Sequence, residues 1–183
     1  MTPPRTPVDV AAAVLLGALA VRAGGLEPHS IPLVAVAAVT PALVRLDLRE
    51  RRLPNRMVVP AIVVALLAVG LGWLVTGEPP VIPLLSGAAY FVFLLILALF
   101  GGMGMGDVKL AAALGLAAGG LGASVALVSP LLAFLAGGVA GIVGLASKQR
   151  TIAFGPFMLG GFWGAVLLAC VVPAWLAAIR GGS

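Results

Sequence analysis

Long uncharged apolar blocks run the length of this chain, broken by short clusters of charge or of Gly and Pro. A membrane-crossing helix needs about 20 mostly apolar residues. Blocks of that order lie at Pro28–Val44, Met57–Gly77, Pro79–Gly106 and Thr151–Ile179. Val10–Val21 reaches spanning length if Arg22 snorkels, extending the segment toward Leu26. Leu110–Ser147 is long enough for two helices joined at Gly119-Gly120-Leu121-Gly122. The pattern predicts an all-α, polytopic membrane helix bundle of about seven transmembrane helices. The bracket is six to eight, because the first and last blocks are the least sharply bounded. Arg22 and the apolar block after it fit a retained first span rather than a cleavable signal peptide. Spans on this scale use most of the 183 residues. The expectation is therefore one integral-membrane domain, 1–183, with its chemistry inside the bundle or at its rim.

Composition sharpens this. The chain is 62% hydrophobic and 9% charged, where a soluble domain carries roughly a quarter charged residues. A water-soluble globule is excluded, and so is a disordered tail. The lone Cys170 excludes a disulfide scaffold and a Cys-clustered zinc site. No metal and no other cofactor is expected. The net charge of +5 does not argue for nucleic acid, since the charges are few and stand between apolar blocks. They read better as topology markers. With the N-terminus in the cytoplasm, Arg5, Arg45, Arg49, Arg51, Arg52, Arg56, Lys109, Lys148 and Arg150 fall inside, and only Arg22 and Arg180 fall outside. This sets the orientation; the expected location is the cytoplasmic (inner) membrane, with membrane lipid around the chain. The abundant glycine (25 residues) fits close helix approach in lipid.

Two of the six acidic residues stand apart. Asp107 lies in Gly102-Met103-Gly104-Met105-Gly106-Asp107-Val108-Lys109-Leu110, at the edge of a long uncharged run. Alternating glycines strip side chains from the start of that helix and let another backbone approach, as a peptide-binding cleft beside a carboxylate requires. The plainer reading is a carboxylate capping a helix N-terminus; against it, ionisable groups at membrane depth are costly and mark function. Asp47 lies in Arg45-Leu46-Asp47-Leu48-Arg49-Glu50-Arg51, ahead of Leu53-Pro54-Asn55-Arg56. Pro54 marks the turn, and the plainer reading is an i,i+4 pair with Arg51.

Taken jointly, the two fall on the same, cytoplasmic, membrane face, and antiparallel helices can bring them together. Paired carboxyls are the machinery of aspartic proteolysis: two like charges a few Å apart share one proton and titrate as a unit. Asp107 opens a helix, whose dipole favours the anion, whereas Asp47 closes one. That is the one asymmetry the sequence offers.

At these residues the chain resembles the type IV prepilin peptidase family, the GxGD aspartic proteases of membranes. Three motifs carry the resemblance: Gly104-Met105-Gly106-Asp107-Val108-Lys109-Leu110; Asp47 with Leu53-Pro54-Asn55 following; and Phe154-Gly155-Pro156-Phe157 at the start of the last span. Together they cover roughly residues 40–165. The resemblance implies Asp47 and Asp107 as catalytic residues, with Gly104, Gly106, Lys109, Pro54, Asn55, Phe154, Gly155 and Pro156 shaping or supporting the substrate cleft. It also implies prepilin-like protein substrates, cleaved at their short basic leader on the cytoplasmic face. Longer members carry an N-terminal segment with paired CxxC motifs, linked to zinc and N-methylation. The expectation here is the short, peptidase-only form, of the kind serving Flp/Tad-type pili. The presenilin-like Tyr-Asp motif is absent; the only tyrosine is Tyr90, followed by Phe91.

On an ideal helix Lys109 points away from Asp107, toward lipid phosphate or a supporting contact. The loop arginines Arg49, Arg51, Arg52 and Arg56 read as anchors to anionic lipid. A competing class is a small proton- or ion-coupled transporter built around a membrane carboxylate, but Leu110–Ser147 carries no ionisable residue. The pilin cleaved, the oligomeric state and the division of labour between the aspartates are not written in the sequence.

Overall fold

A computed structural model of the chain describes residues 6–51, 53–101, 103–146 and 153–181, with side chains described as far as 143 in the sixth helix and 172 in the seventh. Arg5, Arg52, Gly102, Lys148, Arg150 and Thr151, together with the side chains of Trp175 and Arg180, lie outside the described residues.

Among the described residues the chain forms seven helices, in the order α1 (Pro7–Gly24), α2 (Ser30–Glu50), α3 (Asn55–Thr76), α4 (Val81–Leu99), α5 (Met105–Gly120), α6 (Ala123–Ala146) and α7 (Gly155–Gly181). This is the all-α bundle that the apolar blocks predict. Local chemistry sets several of the ends. Thr6 and Asp9 form a reciprocal capping box at the start of α1, with Pro7 in the first turn. Gly77 closes α3 at φ +72°, a left-handed conformation that glycine adopts without strain. Arg51 closes α2 in the same region, at φ 50° and ψ 37°.

The uncharged block ends at Val44, while the helix that Asp47 was expected to close runs on to Glu50. Its extra turns are held by other helices: Arg45 pairs with Asp9 of α1, and Asp47 is only 4% exposed. The charge marks the edge of the apolar span and leaves the helix unbroken. In the long Leu110–Ser147 block the break falls at Leu121 and Gly122, within the expected joint.

Six of the helices are long and apolar enough to cross a membrane; α5, with 16 residues, is not among them. Its position explains this. It packs against α2, α3, α4, α6 and α7, and Val108, Leu110, Ala111, Ala113, Leu114 and nearly every residue on to Gly119 are buried. A helix sheathed by protein is not held to the thickness of the hydrocarbon layer, as a lipid-facing one is.

Glycine makes that central seat. A Cβ on Gly115 would stand 2.6 Å from the Ser86 carbonyl oxygen, and one on Gly119 would stand 2.7 Å from Pro83 Cα. The α4 and α5 backbones are therefore in direct contact, in the small-residue packing that lipid favours. Between α6 and α7, Gly161 sits against the Ala133 backbone in the same way.

Candidate active site

The C-terminal end of α2, the segment leading into α3, and the N-termini of α5 and α7 meet at one end of the bundle. The first two share the Asp47 and Leu53-Pro54-Asn55 motif, and the two N-termini carry one motif each.

Asp47 sits on the last turns of α2 and is buried. Its Oδ2 accepts a hydrogen bond of 2.9 Å from the backbone N–H of Gly155, the first residue of α7. Seven residues back on the same face of α2, the Thr40 hydroxyl accepts from Trp163 Nε1 at 3.0 Å and donates to the Val36 carbonyl at 2.7 Å. The antiparallel α2–α7 seam thus carries two buried polar ties, one of them at the carboxylate. The Asp47 contact also removes the dipole asymmetry expected from sequence. Asp47 closes its own helix but faces the N-terminus of another, so both aspartates sit at helix N-termini.

Asp107 is the third residue of α5, after the N-cap Gly104. Its Oδ2 lies 3.3 Å from where a Cβ on Gly104 would stand. Helix capping alone does not account for this carboxyl, because Oδ1 is buried with no hydrogen-bond partner. Buried polar atoms in folded proteins are almost always satisfied, so an orphan of this kind calls for a ligand or water. Asp47 lies within electrostatic range of Asp107.

Leu53, one residue before Pro54, joins the motifs. A Cβ on Gly106 would stand 2.8 Å from Leu53 Cβ and 3.2 Å from its carbonyl oxygen; one on Gly155 would stand 3.5 Å from Leu53 Cδ1 and 2.7 Å from Asp47 Oδ2. Leu53 is 8% exposed and is wedged between the glycines of the other two motifs. Gly106 and Gly155 are thus required by space, since any side chain there would push the wedge or the carboxylate.

The remaining expected residues take supporting places. Lys109 turns from Asp107, as helix geometry demands, and its Nζ donates to Asn55 Oδ1 at 3.0 Å, tying α5 to the first residue of α3. Pro54 is the N-cap of α3. Phe154 fills the space left by Gly137 of α6 and stacks between Phe134 and Phe157, with Phe93 of α4 at the end of the row. Those rings anchor the start of α7, and with it the Gly155 N–H. Pro156 occupies the first turn of α7, where its missing N–H has no intrahelical partner to lose.

Two residues in this region take places that the sequence does not show. Leu53 belongs to the Leu53-Pro54-Asn55 motif, yet nothing in the sequence marks it as a wedge between two glycines. Tyr90 of α4 reads as one more apolar-span aromatic, yet it is 6% exposed, its hydroxyl has no partner, and Asp107 lies within its electrostatic range.

Comparison with known proteins finds one match. The model of the type IV leader peptidase family covers residues 34–145, which takes in Asp47, the Leu53-Pro54-Asn55 segment and the Gly104–Lys109 stretch; the Phe154–Phe157 motif lies beyond it. No curated protein and no solved structure matches. With more than half of its length matched, and both aspartates inside the matched region, the chain belongs to the type IV leader peptidase family.

Proposed function

We propose that this protein is an aspartic endopeptidase that removes the N-terminal leader of type IV prepilin-like substrates, of which Flp/Tad-type pilins are one class. Family membership supports a peptidase. The observation that carries the aspartic mechanism is the meeting of Asp47 and Asp107 at one end of the bundle, within electrostatic range of each other, with Asp107 Oδ1 unsatisfied. The excess of Lys and Arg at that end supports its facing the cytoplasm.

In this reading a water molecule sits between the carboxyls, which hold one proton between them. The ionised member takes a proton from the water as its oxygen attacks the scissile carbonyl carbon. The protonated member donates a hydrogen bond to the carbonyl oxygen and stabilises the charge that develops there. Collapse of the tetrahedral intermediate breaks the C–N bond, and the proton taken from water passes to the leaving amine. The Gly155 N–H holds Asp47 in place, and the bare backbone at Gly104 and Gly106 leaves room for an extended substrate segment.

The test is leader cleavage by purified protein in liposomes, with a leader-bearing prepilin-like substrate. Asp47→Asn and Asp107→Asn each reduce cleavage by at least about 10³-fold while the protein inserts and purifies as wild type. Full cleavage by either variant overturns the reading.

A further inference from the structure

Tyr90 is a candidate third polar group of this site. It lies on the α4 face that meets α5, three residues beyond Gly87, whose Cα sits 2.8 Å from the position of a Cβ on Gly115. This glycine contact brings the two backbones together and leaves a bulky phenol at their seam. Tyr90 is 94% buried by its 6% exposure, and its hydroxyl has no hydrogen-bond partner. Asp107 Oδ1 shares that state. A phenol in an apolar span normally finds an acceptor; the Asp107 carboxyl lies within electrostatic range of this hydroxyl, and two orphaned polar groups in reach of one water are the setting in which a bridging water is stable.

We propose that the Tyr90 hydroxyl and Asp107 Oδ1 hold one water between them, and that Tyr90 is a positioning residue that fixes the orientation of the Asp107 carboxyl. This inference rests on the peptidase reading for its kinetic consequence only; the Tyr90–Asp107 pairing itself does not depend on any activity.

Tyr90 is the only tyrosine, so 3-fluorotyrosine labelling of the whole chain gives a single fluorine resonance that reports on this ring. Asp107→Asn shifts that resonance, and Glu78→Gln, in the loop after α3, leaves it in place. An unshifted resonance in Asp107→Asn overturns the proposal. Kinetics supply the second arm. Tyr90→Phe keeps the ring and removes only the hydroxyl, so the protein folds and the thermal midpoint in detergent falls by no more than the scale of one hydrogen bond. kcat for leader cleavage falls roughly tenfold, the scale of one lost hydrogen bond, and KM stays within about twofold. Wild-type kcat, or a loss confined to KM, overturns the positioning role. Failure here is separable from failure of the peptidase reading: an inactive Asp107→Asn beside a fully active Tyr90→Phe sinks only the present inference. An active Asp107→Asn sinks the peptidase, and the fluorine shift still decides the pairing.

Discussion

Gly155 donates its backbone N–H to Asp47 Oδ2 across 108 positions of sequence, at 2.9 Å and out of contact with solvent. The residue that places the donor is also the one that must lack a side chain, because a Cβ there would stand 2.7 Å from the same oxygen and 3.2 Å from Asp47 Cγ. The start of α7 and the end of α2 are therefore fitted to each other through the carboxylate.

Gly155→Ala forces that carboxylate aside while leaving the α7 backbone able to form. Displacements on the ångström scale cost about 10²-fold in rate, so kcat for leader cleavage is expected to fall by that order with KM little changed. Gly160→Ala, one turn on and with open space around its Cβ, is the control. It keeps its activity and gains about 0.5–1 kcal/mol of helix stability. Equal behaviour of the two variants in a cleavage assay refutes the fitted contact.

Gly106→Ala tests the wedge. Its Cβ meets Leu53 Cβ at 2.8 Å and the Leu53 carbonyl at 3.2 Å, atoms close to the backbone that cannot swing away. Either α5 or the segment before Pro54 must move, at an overpacking cost of about 1–3 kcal/mol. The expected phenotype is a lower thermal midpoint together with lost cleavage. Replacing the wedge with Leu53→Gly in the same chain removes the Cβ that is struck first and restores part of the activity. No rescue in the double variant contradicts a steric cause.

Thr40→Val removes the acceptor of the buried Trp163 Nε1–H with little change of shape. An unsatisfied buried donor costs about 1–3 kcal/mol, and the lesion lies two helical turns from Asp47. The expected result is a lowered midpoint in detergent, with kcat measured well below that midpoint reduced less than in Gly155→Ala. A midpoint equal to wild type means that the tie contributes nothing to the α2–α7 seam.

The bundle and the family were legible because hydrophobicity and the motifs are local properties of the chain. What escaped reading depends on partners distant in sequence. Arg45 marks the end of an apolar block, and its partner on α1, Asp9, could not be read from the sequence. Asp47 looked like the poorer anion site because the α7 N-terminus that faces it lies more than a hundred residues downstream. Leu53 is legible as part of a motif and Tyr90 as a span aromatic, but only packing puts the one between two glycines and leaves the hydroxyl of the other without a partner. The shortness of α5 was hidden too, since burial by neighbouring helices leaves no mark in an apolar block.

Lys109 separates a reading from lipid and a reading from structure. Residue spacing turns it away from Asp107, where a lone lysine would reach a lipid phosphate. In the structure its Nζ meets Asn55 Oδ1 at 3.0 Å instead, joining the helix that carries Asp107 to the residue after Pro54. The two accounts differ in their couplings. If the tie orients α5, Lys109→Met and Asn55→Ala each lower kcat by about two- to fivefold, and the double variant is no worse than the weaker single. This corresponds to a coupling of about 0.5–1 kcal/mol in the double-mutant cycle. The loss is the same in liposomes of neutral and of anionic lipid. If lipid phosphate is the partner, Asn55→Ala is silent, the effects add, and the Lys109→Met loss appears only when anionic lipid is present. The exposure of the pair bounds the effect, because a solvent-accessible hydrogen bond to a flexible ammonium contributes little to overall stability. A fall in the thermal midpoint as large as that of Thr40→Val would therefore contradict the tie as described.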